Sequence, residues 1–280
     1  MTERKPSTST SPLTTSMRTV WLPGGRSLAI QTSRLPCSVV CARLTVATLT
    51  LSRETSAIPR PGAFAAIQAD VRPGQTELEI AARLNAAMAA QGGEEAAIRT
   101  MVSAGPDVWF KTHAAPSRRP VERGDVMYVD ACGVVDRYHV DLCRTFAVGD
   151  DHAQARALLE LTAGSVLAVQ QAVRPGDPLD VAQRIAEDHV YARVPREQVW
   201  WVGGYALGIA LPPDWVGHTY LSNDAYEQFT WEPGYVTNYE NIVFDADRGF
   251  TASYMETLLM TENGIEILST VPRELLLIDC

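Results

Sequence analysis

The sequence predicts an α/β (α+β) protein in which helices cover a curved antiparallel sheet. Two observations lead to this prediction. Residues 125–146, DVMYVDACGVVDRYHVDLCRTF, alternate with a period of two on either side of a polar turn, a pattern typical of a β-hairpin. The phrase VRPG occurs at 71–74 and again at 173–176, each time before a predicted helix. A unit of helix, turn, helix and strand that occurs twice indicates two similar halves.

Helices and one further strand are predicted around the hairpin. Thr76 and Glu79 form a T-x-x-E capping box, which predicts that a helix begins there. Apolar residues at helical spacing predict a long amphipathic helix that packs on the core. The predicted segments are helices at 63–70, 155–173 and 179–189 and a strand at 99–104.

Two aspartates in the predicted hairpin are the first candidate site residues. If the turn is centred on Val135 and Asp136, Asp130 and Asp141 lie nearly opposite each other on one face. Like charges placed in this way destabilise a sheet, so the pair requires a cation, a shared proton or a wide solvated gap. A divalent metal is the simplest of these, because such cations take carboxylate oxygens. A surface hairpin with two unrelated aspartates is the alternative.

Charge and composition restrict the class of protein. The chain has 280 residues, of which 46% are hydrophobic and 20% are charged, as expected for one large domain or two small ones. The formal net charge is −9, although residues 1–53 carry an excess of basic side chains. The rest of the chain is therefore strongly acidic, which argues against nucleic acid as a partner. No apolar run is long enough to predict a membrane span.

The N-terminal segment differs from the rest in composition. Residues 1–56 are rich in Ser, Thr and Arg, and we expect a transit peptide, a disordered tail or a misassigned start there. Residues 57–280 are expected to form the catalytic domain. The chain has 5 cysteines at irregular spacing, which predicts free thiols and a reducing, cytoplasmic location.

The hairpin motif D-x-x-G…Y-x-x-D-x-x-R-T-F resembles the metal-binding hairpin of the pita-bread hydrolases, among them methionine aminopeptidase, Xaa-Pro aminopeptidase, prolidase and creatinase. Asp130, Asp141 and Arg144-Thr145-Phe146 are in register with it, and Cys132 stands where the family usually has glycine. The resemblance extends over about residues 60–278. It implies a pita-bread fold, with two pseudo-twofold halves flanked by helices, and hydrolysis of a C–N bond.

The resemblance also implies five metal-ligand positions, which this chain fills only in part. Asp130 and Asp141 take the first two, and FTWEPG at 229–234 aligns Glu232 with another. Segment 200–218 is similar to ectoine hydrolases and has Tyr205 and Pro212 where the peptidases have histidines.

The last ligand position falls in the strand METLLMT. Met255 aligns with it and Glu256 stands one residue off, so Glu256 could serve only if a bulge re-aimed it. We expect Glu240 to be a solvated loop acid.

Three hypotheses on function stay open. The first is an Xaa-Pro aminopeptidase-like hydrolase with a degenerate dinuclear site, in which Mn²⁺, Mg²⁺ or Co²⁺ is weakly held or absent. The second is a metal-independent hydrolase of a small molecule, similar to creatinase or ectoine hydrolase, and the third is a non-catalytic binding protein. The catalytic candidates are His113, Tyr205 and Glu232, since His113 falls where the peptidases keep a histidine facing the substrate. The expected substrate is a small peptide or small amide, and a homodimer is left open.

Overall fold

The computed structural model describes residues 62–96, 98–210 and 229–280, and the backbone of residues 18–22, 26–30 and 219–220. The chain divides into two compact units, Met1–Cys37 and Ser38–Cys280. In the first unit, strands β1 (Arg18–Leu22) and β2 (Arg26–Ile30) pair antiparallel. The rest of the segment 1–56 lies outside the described residues, so its predicted character stays a prediction.

The second unit is built on a nine-stranded sheet in the order β3-β4-β5-β9-β8-β6-β7, with β10 on β9 and β11 on β5. Its pairs are antiparallel apart from the parallel contact between β11 and β5. The strands are β3 (Met101–Ala104), β4 (Val126–Val135), β5 (Tyr138–Val148), β6 (Val199–Ala206), β7 (Thr219–Tyr220), β8 (Val236–Asp245), β9 (Phe250–Thr261), β10 (Gly264–Ile267) and β11 (Leu276–Ile278).

Four helices of the second unit occur as two pairs along the chain. They are α1 (Ala63–Asp70), α2 (Glu77–Ala89), α3 (Ala153–Ala172) and α4 (Leu179–Tyr191). Each pair is joined by a VRPG turn, whose glycine has a φ of 93° at Gly74 and 91° at Gly176. No helix within these described parts is long and apolar enough to cross a membrane.

The capping box predicted at the start of α2 is present. Thr76 Oγ1 accepts a hydrogen bond from the backbone N–H of Glu79 at 3.2 Å, and the Glu79 carboxylate accepts from the backbone N–H of Thr76 at 2.7 Å. Both otherwise unpaired donors of the first turn are thereby satisfied.

Both helix pairs pack on the sheet through alternate strand residues. The core beside α1 and α2 includes Val129, Leu142 and Phe146, and the core beside α3 and α4 includes Tyr239 and Leu258. Side chains of neighbouring residues in a strand point to opposite faces, so the residues between these core positions point away from the helices. The predicted curved antiparallel sheet with flanking helices is confirmed.

The hairpin between β4 and β5 turns one residue later than predicted. Asp136 and Arg137 have φ values of 51° and 65° and form its two-residue turn. Two consecutive positive φ values are characteristic of the type I′ turn, whose twist matches that of the two strands it joins. The shift of one residue at the turn moves every pairing by two, so Asp130 pairs with Cys143, and Asp141 pairs with Cys132.

Candidate active site

One face of the sheet, opposite the side that packs on the helices, collects polar side chains from five strands; we call it the site face. Paired residues of a sheet share a face, and the pairings Cys143–Met255, Met255–Glu240, Thr257–Asn238 and Asn238–Tyr205 connect the strands in turn. The site face therefore carries Asp130, Asp141, Tyr205, Asn238, Glu240 and Thr257.

Asp130 and Asp141 lie diagonally across the β4–β5 hairpin and not directly opposite each other. Both are buried, with 4% and 1% of their surface exposed, and the charge of Asp141 adds to burial in raising the pKa of Asp130. The phenol of Tyr128 donates a hydrogen bond to Asp130 Oδ2 at 2.9 Å.

Asp141 is held by donors from four strands. Its Oδ2 accepts from the Tyr205 hydroxyl at 2.6 Å and from the Asn238 side-chain amide at 2.7 Å. Its Oδ1 accepts from the Cys132 thiol at 3.4 Å. Its backbone N–H and C=O are both bonded to the Thr257 hydroxyl, at 3.1 and 2.9 Å. Protein donors therefore bind both carboxylate oxygens of Asp141.

Burial sets the protonation of the groups around Asp141. It raises the pKa of Asp130 and of Glu240 well above the ordinary carboxyl range, and the charge of Asp141 raises both pKa values further. Burial likewise raises the pKa of the Tyr205 phenol and the Cys132 thiol well above their ordinary values. Both groups therefore stay protonated and act as hydrogen-bond donors.

The sequence predicts Glu232 at the site and Glu240 in a solvated loop, and the structure shows the reverse. Glu232 lies on an exposed turn before β8, where its carboxylate accepts a hydrogen bond from Thr230 at 3.3 Å. The phrase WEPG forms this turn, and the tight bend at Gly234 has a φ of 96°. The structure therefore does not bring Glu232 to the buried aspartates. The prediction that Glu240 is a solvated loop acid is wrong, because it is buried within β8.

Glu256 lies on the face that Arg144 occupies, away from Asp130 and Asp141. The pairing of β8 with β9 runs without interruption, so the bulge that would re-aim Glu256 is absent there. Its carboxylate instead forms a fully buried ion pair with Arg144 and accepts hydrogen bonds from Ser269 at 2.7 Å and Tyr254 at 2.9 Å. Met255 occupies the site face in its place, as the one-residue offset predicts.

His113 lies in the loop between β3 and β4. The residue is solvent-exposed, yet the surrounding protein desolvates the imidazole enough to lower its pKa. The charge of Asp141 acts on the same ring in the opposite direction. His113 is therefore close enough to the site for an electrostatic interaction. Among the described residues, no hydrogen bond joins its ring to the carboxyl cluster.

The side chains of the site face do not fit a dinuclear metal centre. The oxygens of Asp141 that would ligate metal already accept hydrogen bonds from Tyr205, Asn238 and Cys132. Tyr205 supplies a protonated phenol in place of an imidazole, and such a phenol is a poor ligand. Among residues 62–96, 98–210 and 229–280, no three His, Cys, Asp or Glu side chains meet in an arrangement suited to a metal ion.

Sequence reasoning missed two members of the site, Glu240 and Asn238. Both alternate with Tyr239 and Asn241 in a period of two, which is visible in the sequence TNYENIVF. The pattern could have assigned Glu240 and Asn238 to one face of a strand. Which face is buried against the aspartates follows only from the pairing with β6 and β9.

Known proteins share this fold and sequence pattern. The family model described as metallopeptidase family M24 matches residues 61–262. An Xaa-Pro dipeptidase of Pyrococcus furiosus is 26% identical over 217 residues, which is 76% of this chain and 59% of that protein. An ectoine hydrolase of Halomonas elongata is 28% identical over 193 residues, or 66% of this chain and 45% of that protein. The chain thus spans about half the length of the relatives that it matches.

Solved structures show the same fold. An X-Pro aminopeptidase from Thermotoga maritima superposes with a TM-score of 0.69 at 24% identity, over 77% of this chain and 59% of the other. A prolidase from Pyrococcus furiosus has a TM-score of 0.70 at 20% identity, over 84% of this chain and 64% of the other. With a family match across most of the described sheet and helices, the chain belongs to metallopeptidase family M24.

Proposed function

We propose that this chain hydrolyses the C–N bond of a small peptide or small amide without a dinuclear metal centre. Membership of the family and the similarity to proteins named Xaa-Pro dipeptidase and ectoine hydrolase support the reaction class. The observation that carries the proposal is the burial of the carboxyl groups of Asp130, Asp141 and Glu240 together on the site face. Such a set contains both a proton acceptor and a proton donor, as general acid–base catalysis requires.

The proposed reaction uses these groups alone. The pair Asp130–Asp141 accepts a proton from a water molecule while the water oxygen bonds to the carbonyl carbon. Glu240, which is neutral because burial raises its pKa, gives its proton to the leaving nitrogen as the C–N bond breaks. The products are a carboxylic acid and an amine. A proton then returns from the aspartate pair to Glu240, with exposed His113 as the exchange point with solvent.

Tyr205 and Asn238 position the acceptor in this reaction. Both donate to Asp141 Oδ2, and the Asn238 amide also donates to the Tyr205 hydroxyl at 2.9 Å. These bonds fix the Asp141 carboxylate on rigid strands, and such fixation of a reacting group is a large part of catalytic rate enhancement.

The test is an assay of the purified chain against Xaa-Pro dipeptides and small N-acyl amides, with released amine measured by mass spectrometry. Activity should persist in EDTA. Asp141→Asn should lower kcat/KM by about 100-fold or more, because it removes a proton acceptor. Glu232→Gln, on the exposed turn, should keep wild-type activity.

Two other results would each contradict part of the proposal. Turnover that requires Mn²⁺ and is lost in EDTA would retain the hydrolase and exclude the metal-free arrangement. Binding of these compounds without release of amine would instead support a non-catalytic binding protein.

A further inference from the structure

We propose that Glu77 and Trp200 are positioning residues, which hold the segment 105–117 against the site face so that His113 meets the substrate. We call this segment the His113 loop. The inference rests on the proposed function in one respect, since that function gives His113 its role in proton exchange. Neither Glu77 nor Trp200 is a member of the carboxyl cluster, so both act through the loop.

The His113 loop packs against one end of the site face. Val108, in a short 3₁₀ helix of the loop, is fully buried. It belongs to one apolar cluster with Tyr128 and Met255 of the site face. The charge of Asp141 acts on the His113 ring from the same face. The position of the loop therefore determines where the imidazole lies relative to the reacting groups.

Glu77, the first residue of α2, holds both ends of the loop. Its side chain is buried, with 2% of the residue's surface exposed. Oε1 accepts a hydrogen bond from the backbone N–H of Ala104 at 2.9 Å, and Oε2 accepts from the backbone N–H of Ser117 at 2.8 Å. The backbone N–H groups of Glu77 and Leu78, which have no partner within the helix, donate to the carbonyl oxygens of Arg119 and Ser117, each at 3.1 Å. The start of α2 therefore closes the loop at its base.

Trp200 holds the middle of the loop from β6, in the other half of the sheet. Its indole N–H donates to the carbonyl oxygen of Trp109 at 2.8 Å, although 49% of the surface of Trp200 is exposed. The rings of Trp109 and Trp200 also contact Phe244, with centroids 5.5 Å and 6.5 Å from its ring. The loop is thus bonded to both halves of the sheet's surroundings, at α2 and at β6.

Two consecutive turns connect these bonds to His113. The backbone N–H of Lys111 donates to the carbonyl oxygen of Val108 at 3.1 Å, and the N–H of Ala114 donates to that of Lys111 at 2.9 Å. His113 lies within the second turn. Ser103 on β3 donates to the same Lys111 carbonyl oxygen at 3.0 Å, which bonds the turns to the sheet. Displacement of a group at an active site by about 1 Å can lower the rate by about 100-fold, so such bonds matter for activity.

The experiment is a double-mutant cycle on kcat/KM with the amide substrates of the activity assay. Glu77→Gln keeps the shape of the side chain and replaces one of its two acceptors by a donor. It should lower kcat/KM by about tenfold or more in the wild type and should have no further effect in His113→Ala. Glu79→Gln, the matched change in the same turn of α2, should keep wild-type activity.

Trp200→Phe repeats the cycle at an exposed position. It removes the indole N–H and should lower kcat/KM less than Glu77→Gln does, again with no further effect in His113→Ala. If Glu77→Gln does not fold, as judged by circular dichroism, Trp200→Phe takes its place.

A second measurement requires no turnover. The protein around the His113 ring desolvates it and thereby lowers its pKa. NMR titration should show the pKa of His113 move up towards its ordinary value in Glu77→Gln and stay unchanged in Glu79→Gln. A loss of global stability alone would not move this pKa in the folded protein.

Three outcomes would overturn the inference: effects of Glu77→Gln and His113→Ala that multiply, an unchanged His113 pKa in Glu77→Gln, or full activity of His113→Ala. The test separates the two proposals. A chain that hydrolyses no amide, but in which Glu77→Gln moves the pKa of His113, retains the held loop and loses the proposed function. A chain that hydrolyses amides equally well with Glu77→Gln retains the function and loses the positioning role.

Discussion

Tyr205 on β6 donates its phenolic hydrogen bond to Asp141 Oδ2 on β5 over 2.6 Å, and the two strands are not neighbours in the sheet. The contact therefore crosses the site face and joins the two halves of the sheet. Because burial raises the pKa of Tyr205 well above its ordinary value, the phenol is a donor at neutral pH. Tyr205, which the motif resemblance aligns with a histidine, is thus part of a hydrogen-bond network.

Tyr205→Phe tests this network. Removal of the hydroxyl takes one of two donors from Asp141 Oδ2, and a hydrogen bond to a charged group contributes about 1.5–3 kcal/mol. We expect a decrease of this size in the free energy of unfolding, measured with urea. Tyr191→Phe, at a partly exposed position, should change little. Equal stability of Tyr205→Phe and the wild type would show that the hydroxyl contributes nothing to the fold.

Part of this site could be predicted from the sequence. The period of two places Asp130 and Asp141 on one face of a hairpin, and the structure brings them together. Their diagonal position could not be predicted, because it depends on whether the turn is centred before or after Asp136. The offset of Glu256 to the opposite face was predictable in the same way, and its buried partner Arg144 was not. The alternation of residues along a strand predicts which face of the sheet each side chain occupies. Only the pairing between strands determines which side chains are neighbours on that face.

The error at Glu232 has a different cause. The motif FTWEPG predicts Glu232 as the site glutamate, but this residue lies in a turn. The buried Glu240 lies eight residues later, in β8. A motif alignment carries no information on burial. Composition also gave no sign that Glu240 would be buried, because buried carboxylates are rare.

Asp130→Asn should change how stability depends on pH. The native state keeps a proton on Asp130 at a pH where the unfolded chain, with a carboxyl pKa near 4, has released it. The native state then binds more protons, so this group lowers stability as pH rises above about 4. The variant lacks this loss, and its stability relative to the wild type should increase between pH 5 and pH 8, by up to about 1.4 kcal/mol per pH unit.

Urea unfolding of both proteins across this pH range measures the difference. The exposed Asp279→Asn serves as the control for the change of charge. A constant difference for Asp130→Asn would mean that Asp130 ionises normally in the folded protein.

Glu256→Ala should destabilise the fold strongly without affecting the site face. Arg144 would be left buried without its counter-charge, and breaking a buried ion pair costs about 3–5 kcal/mol. Arg144 also donates to the carbonyl oxygens of Val271 at 3.0 Å and Pro272 at 2.9 Å, so the segment after β10 should loosen as well. Chemical denaturation gives the loss, and hydrogen exchange locates it. Asp150→Asn, in an exposed ion pair with Arg123, should have no measurable effect.

The last prediction concerns Mn²⁺. In the wild type, Tyr205 and Asn238 already bind Asp141 Oδ2, so millimolar Mn²⁺ should leave Tm unchanged. Tyr205→His removes one of these donors and adds an imidazole, a good ligand for divalent metals. Mn²⁺ should therefore stabilise the variant, by about 2.7 kcal/mol at a hundredfold excess over its dissociation constant. Tyr191→His, remote from the site face, should not respond. If Mn²⁺ stabilises the wild type and the Tyr205→His variant equally, the hydrogen bonds of Tyr205 do not keep metal from Asp141.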